Sequence, residues 1–244
     1  MIQDSNKNKK IFHTDTQFLS GPNSRGKEFV FILKAFYQFI RGFRKLHFVG
    51  PCITVFGSAR LGENSPYYIK AEKIGKACAE LGFAVMTGGG PGIMEAANKG
   101  AFLVGGTSIG CNIKLPHEQA SNSYLTKSVD FDFFFVRKVL LTKYSYAFIV
   151  FPGGFGTLDE LFETLTLIQT GILHNFPIVI IGKEYYKDVS ELIDKMILER
   201  TISDHDLNLI KFTDDEDEAI DHIRSFINKN YKIKYKASWV LGEN

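Results

Sequence analysis

The sequence is short of what marks an exported, membrane-spanning or disulfide-framed protein. It holds three cysteines, Cys52, Cys78 and Cys111, an odd number at unpaired spacing. That argues against a disulfide frame or a cysteine-built zinc site and for reduced, buried thiols in a cytoplasmic protein. The opening residues, Met1 to Lys7, lack the apolar core of a signal peptide, so none is expected. No run reaches the roughly 18 apolar residues that a membrane span needs. The formal net charge is only +2, which gives no ground for nucleic acid or a membrane surface as the main partner. The six histidines are scattered without ligand spacing, so no metal centre and no cofactor are expected. No glycine turn here ends in the Gly-Lys-Ser/Thr of a P-loop, and the glycines do not repeat as in a dinucleotide fingerprint. Internal repeats and low-complexity stretches are absent as well.

What is present is a chain with 45% hydrophobic residues, enough for a sizeable core in one α/β domain or two small ones. The centre of the pattern is Pro152-Gly153-Gly154-Phe155-Gly156-Thr157-Leu158-Asp159-Glu160. The apolar run Ala147–Phe151 precedes it, and Leu161, Phe162, Leu165 and Ile168 follow on one helical face. This reads as strand, glycine turn and helix start, an arrangement that offers bare backbone N–H groups to an anion such as phosphate. Taken alone, such a turn is more often an ordinary strand–helix connection.

Two other strand ends carry the same mark. Cys52–Phe56 runs into Gly57-Ser58, and Phe83–Thr87 runs into Gly88-Gly89-Gly90-Pro91-Gly92. Helices are expected over Pro66–Leu81, Ile93–Phe102, Val136–Tyr144, Asp159–Thr170, Tyr186–Arg200 and Asp214–Asn228. Further strands are expected over Thr107–Ile113, Val129–Phe135, Pro177–Ile181 and Leu209–Phe212. This alternation predicts an α/β, Rossmann-like, doubly wound fold: a mostly parallel sheet with helices on both faces. In such a sheet the glycine-marked strand ends lie on one edge, where ligands bind. Around this domain, residues 49–228, the sequence places a flexible arm at 1–26, an apolar helix at 27–48 and a tail at 229–244 with the single tryptophan, Trp239. The helix at 27–48 is hydrophobic nearly all round, so it is expected to bury itself on the domain or on a second subunit.

Gly88-Gly89-Gly90-Pro91-Gly92-Ile93-Met94-Glu95-Ala96-Ala97, then Arg137-Lys138, then Pro152 to Glu160, resemble the Lonely Guy family of nucleotide phosphoribohydrolases, which also carries a lysine decarboxylase label. The match spans roughly residues 50–200. The resemblance implies a Rossmann-like fold, a dimer or higher homo-oligomer, and hydrolysis of the N-glycosidic bond of a nucleoside 5′-monophosphate to free base and ribose 5-phosphate. The substrate implied is AMP or an N6-modified AMP of the cytokinin type. It implies catalysis by Arg137 and Glu160. It also implies nucleotide contacts from Glu118, Lys138, Gly153, Gly154, Gly156, Thr157, Leu158 and Asp159; Ser58, Gly88, Gly89 and Gly90 are expected to join them because their strand ends share the sheet edge. The alternative on the same scaffold is a non-catalytic nucleotide or molybdenum-cofactor carrier.

Overall fold

The computed structural model describes residues 18–114, 121–203 and 210–230. Glu118, His117 and Trp239 lie outside these residues. Seven strands, β1 Cys52–Phe56, β2 Ala84–Thr87, β3 Ser108–Ile113, β4 Lys127–Phe131, β5 Ser145–Val150, β6 Ile178–Ile181 and β7 Ile210–Thr213, form one sheet in the order β4-β3-β2-β1-β5-β6-β7. Every neighbouring pair is parallel. Parallel strands need crossovers, and helices α2 Pro66–Glu80, α3 Ile93–Leu103, α4 Phe134–Tyr144, α5 Phe155–Gln169 and α6 Lys187–Leu198 supply five of them; the β3–β4 connection carries no helix among the described residues, and α7 Glu216–Asn230 follows β7. Helix α1, Arg25–Leu46, precedes the sheet.

The central strands β1, β2, β5 and β6 are buried on both faces, which is why they read as nearly unbroken apolar runs, while the edge strands β4 and β7 are partly exposed. The two-residue period still sorts side chains between faces. On β1, Cys52 and Phe56 join the core under α1, α4 and α5, whereas Ile53 and Val55 join the core under α2, α3 and α7. The doubly wound expectation is met. The chain winds outward from β1 to β4, then returns to lay β5 on the other side of β1. That reversal is the switch point of the fold, and the loops after β1 and β5 meet there. The Ser58 amide donates to the Pro152 carbonyl at 2.9 Å, and the Phe151 amide to the Phe56 carbonyl at 2.8 Å.

Two expectations change. The aromatic run Val129–Phe135 is not one strand: β4 ends at Phe131, and α4 begins at Phe134. The corner is pinned from outside, because the Gln38 side chain of α1 bonds both the amide and the carboxylate of Asp132. Phe131 and Phe133 go into the core while Phe134 and Phe135 do not. Helix α5 begins at Phe155, four residues before the expected start at Asp159, since Gly156 and the exposed Phe155 carry no inward-facing signal.

Helix α1 buries only Ala35, Gln38, Gly42 and Leu46 against the domain. Its approach to α4 is close, with a Cβ at Gly42 falling 2.3 Å from Leu140 Cδ1. The opposite face, Phe29, Leu33, Phe36, Ile40 and Phe43, stays exposed.

Candidate active site

A cavity of about 710 Å³ opens at the switch point. Its walls are the three glycine-marked strand ends that the sequence sends to one edge: Gly57 to Leu61 after β1, Gly88 to Gly90 after β2, and Pro152 to Thr157 after β5. Asn112 and Ile113 from β3, and Phe134, Arg137 and Leu141 from α4, complete much of the lining.

The turn after β5 becomes the first turn of α5. Thr157 and Leu158 donate to the Gly154 carbonyl, which leaves the amides of Phe155 and Gly156 without an intrahelical partner. Gly153 has to be glycine for packing, because a Cβ there would sit 2.1 Å from Thr157 Oγ1. Gly154 and Gly156 differ: a Cβ at either would meet nothing within 4 Å. The space over those two residues and their amides is open, at the positive end of the helix.

The turn after β2 is held by a buried polar network. Asn98 of α3 accepts from Thr87 Oγ1 at 2.6 Å and from Asn122 Nδ2 at 3.0 Å, and donates to Ser108 Oγ at 2.8 Å. Thr87 Oγ1 accepts from the Gly89 amide at 2.9 Å, and Asn122 Nδ2 also reaches the Gly90 carbonyl at 3.1 Å. Gly92 has φ +68°, and a Cβ there would lie 2.4 Å from the Ser58 carbonyl. The loop after β1 is thus wedged between the two glycine turns.

Glu160, in the second turn of α5, is 2% exposed. Neither of its carboxylate oxygens has a hydrogen-bond partner. The nearest cation is Arg137 of α4, with Nη2 3.6 Å from Glu160 Oε1, too long for a hydrogen bond. Arg137 is itself held over the Phe134 ring at 5.4 Å, and its Nε is buried and unpartnered. Burial pushes the Glu160 carboxyl up to about 7, against the pull of Arg137 and Lys138. A carboxyl in this state is charged or neutral near neutral pH and can hold or release a proton there.

Of the predicted site residues, the structure brings Ser58, Gly88, Gly89, Gly90, Arg137, Gly153, Gly154, Gly156, Thr157 and Glu160 to the cavity. Lys138, Leu158 and Asp159 are not part of its lining. Lys138 instead bridges α4 to α5, with Nζ 2.9 Å from both Asp159 and Glu163. Burial pulls its ammonium down, but these two carboxylates outweigh that and hold it above its ordinary value. Three lining residues carry no mark in the sequence reading. Arg60 follows the first glycine-marked strand end by three residues. Asn112 of β3 has a buried, unpartnered Oδ1. Tyr185 donates its hydroxyl to the Gly153 carbonyl at 2.7 Å and so steadies the phosphate-type turn.

A family model described as "Possible lysine decarboxylase" matches residues 94–223. The chain is 30% identical over 193 residues to cytokinin riboside 5′-monophosphate phosphoribohydrolase LOG1 of Arabidopsis thaliana, covering 78% of this chain and 90% of that one. It is 32% identical over 180 residues to the cytokinin riboside 5′-monophosphate phosphoribohydrolase of Rhodococcoides fascians, covering 71% and 89%. The chain belongs to the Lonely Guy family. Among solved structures, a molybdenum cofactor carrier protein from Chlamydomonas reinhardtii shares the fold, with a TM-score of 0.55 at 25% identity over 74% of this chain and 99% of that one. Within the Lonely Guy fold of this chain, the buried Arg137–Glu160 pair and the glycine turns line one cavity.

Proposed function

We propose that the protein hydrolyses the N-glycosidic bond of a nucleoside 5′-monophosphate, giving free base and ribose 5-phosphate. One observation carries this reading: a buried carboxylate without a hydrogen bond, Glu160, faces Arg137 in a cavity rimmed by open glycine amides. The Arabidopsis and Rhodococcoides relatives, named as cytokinin riboside 5′-monophosphate phosphoribohydrolases, support it, and the substrate we infer is AMP or an N6-modified AMP.

In the reaction the C1′–N bond breaks and its electron pair leaves with the base, which gains a proton. Water adds its oxygen to C1′ and loses a proton. The sugar passes through an oxocarbenium-like state. Ionised Glu160 lies beside that cation, orients the water and takes its proton. Arg137 stabilises the electrons that collect on the departing base through its guanidinium. The amides of Phe155 and Gly156 hold the phosphate, and that remote binding orients the sugar. Phe134 and Leu141 offer apolar wall to the base.

The test is a panel of AMP, GMP, CMP, UMP, IMP, isopentenyl-AMP and adenosine, with free base followed by chromatography. Base release from a monophosphate, far exceeding that from adenosine, is the expected result. No release from any of them would move the reading to a carrier protein, which the fold shared with the Chlamydomonas carrier favours.

We also infer a cytoplasmic homodimer joined through α1. Phe29, Phe36 and Phe43 recur every seven residues on its exposed face, with Leu33 and Ile40 between them. That spacing makes a seam for a second helix, and a second copy of α1 provides one by twofold symmetry. The three free, buried cysteines fit a reducing compartment.

A further inference from the structure

The charges that line the cavity do not add up to a phosphate site unless one more residue takes part. Among the described residues, three side chains of the Asp, Glu, Lys and Arg kinds line it: Arg60, Arg137 and Glu160. Ionised Glu160 offsets Arg137, 3.6 Å away. Lys138, the cation implied as a phosphate contact, is off the lining and already faces Asp159 and Glu163. A phosphate monoester brings a charge of roughly −1.5 to −2 at pH 7. Backbone amides supply dipoles but no full charge. Among the described residues, the cation left uncompensated at the cavity is Arg60.

Its position follows from the loop that carries it. The Ser58 amide is tied to the Pro152 carbonyl at 2.9 Å, one residue before Gly153, and the Ser58 carbonyl accepts from the Ile93 amide at 3.0 Å. The Arg60 amide in turn donates to Ser58 Oγ at 3.1 Å, folding the loop back on itself. The loop is therefore fixed to both glycine turns, and Arg60 is the long side chain it carries at the cavity. Among the described residues the Arg60 side chain has no ion pair, and it is exposed. An arginine fork suits a phosphate oxygen pair better than an ammonium does.

We propose that Arg60 is the residue through which this site reads the 5′-phosphate, clamping it against the open amides at the start of α5. The inference rests on the phosphoribohydrolase reading for its substrate, and its test does not require turnover. Ribose 5-phosphate and inorganic phosphate are titrated into the full chain by calorimetry, for the unaltered protein, Arg60→Ala, Arg60→Lys and Lys138→Gln. Arg60 is on an exposed loop, so the Ala variant should keep its melting temperature, which is recorded alongside.

Loss of a charged, forked hydrogen bond predicts ribose 5-phosphate binding weakened roughly 10- to 100-fold in Arg60→Ala. Arg60→Lys should recover part of this, and Lys138→Gln should bind within about twofold of the unaltered protein. Where a monophosphate is turned over, its KM in Arg60→Ala should rise by the same factor with kcat nearly kept, and preference for it over the free nucleoside should collapse. Unchanged affinity in Arg60→Ala, loss in Lys138→Gln alone, or no binding of ribose 5-phosphate by the unaltered protein at millimolar concentration would each overturn the inference. Phosphate binding that depends on Arg60 without any base release would leave it standing and would remove the hydrolase reading instead.

Discussion

Glu160 holds its proton more tightly in the folded chain than in the unfolded one, because burial outweighs the pull of Arg137 and Lys138. Between the ordinary value of 4.5 and about 7, the folded state binds the extra proton. Stability therefore falls as pH rises through that window and levels off above it. The effect amounts to about 3 kcal/mol at full ionisation. Glu160→Gln removes the charge at constant shape, so it should gain stability over the unaltered protein in urea unfolding, by more at pH 8 than at pH 5. Equal gains at both pH values would mean that the carboxyl is not raised. The same variant should lose base release by at least about a hundredfold while still binding nucleotide. In the unaltered protein kcat/KM should climb about tenfold per pH unit below about 7 and then flatten, as the carboxylate forms. A second substitution separates binding from folding. Since a Cβ at Gly156 meets nothing, Gly156→Ala should keep or raise stability by about 0.5–1 kcal/mol. It should also weaken ribose 5-phosphate binding, because the methyl enters the space that the phosphate takes. A variant that binds as before would place the phosphate elsewhere. Arg137 and Glu160 were legible in the sequence because each belongs to a spaced motif. Arg60 was not, since an arginine in a loop has no period and its place depends on two glycine turns meeting around it.

Elements decide how rigidly those residues are offered. The turn after β2 has almost no side chains of its own, so its shape is borrowed from Asn98 on α3, which is fully buried and ties Thr87, Ser108 and Asn122 together. Asn98→Ala would strand the Thr87 hydroxyl and weaken the hold on the Gly89 and Gly90 backbone. A cost of roughly 2–4 kcal/mol in urea unfolding is expected, together with a raised KM. A loss under about 1 kcal/mol would mean that the turn keeps its shape without the network. Sequence periodicity located α3 to within a residue and said nothing of Asn98, because a buried amide looks like any polar break in an apolar pattern. The run Val129–Phe135 failed for a related reason. Five of its seven residues are apolar, which fits a buried strand, but the corner at Asp132 is set by Gln38 on a distant helix. Tertiary contacts of that kind leave no local trace.

The whole molecule is organised by the return of β5 beside β1; strand–helix alternation makes the parallel, doubly wound sheet readable, but the strand order comes from the structure. Alternation forces parallel pairing and right-handed crossovers, and those rules leave few arrangements. The outer face of α1 is where the folded chain remains incomplete. Seven charged residues lie on α1, Arg25, Lys27, Glu28, Lys34, Arg41, Arg44 and Lys45; beyond Arg25 the residues Phe29, Leu33, Phe36, Ile40 and Phe43 form an apolar stripe, and the described part of the domain covers the other side. The sequence predicts burial on the domain or on a second subunit because the hydrophobicity of this helix is not confined to one side; the domain buries only Ala35, Gln38, Gly42 and Leu46. A stripe of this size exposed to water favours association. With a second copy as the cover, the protein should sediment at twice the 27.5 kDa chain mass at micromolar concentration. Phe36→Glu with Ile40→Glu places two charges in the middle of the seam and should give a monomer that retains its melting profile, because neither side chain belongs to the core. Helix α4 joins α1 to Arg137, so the monomer also reports on the site. If the double variant is monomeric and still cleaves its substrate, the cavity is complete within one chain. If it is monomeric and inactive while Glu160 and its surroundings remain folded, the second copy supplies part of the site. A double variant that still sediments as a dimer would assign the interface to another face and leave the α1 stripe to a different occupant.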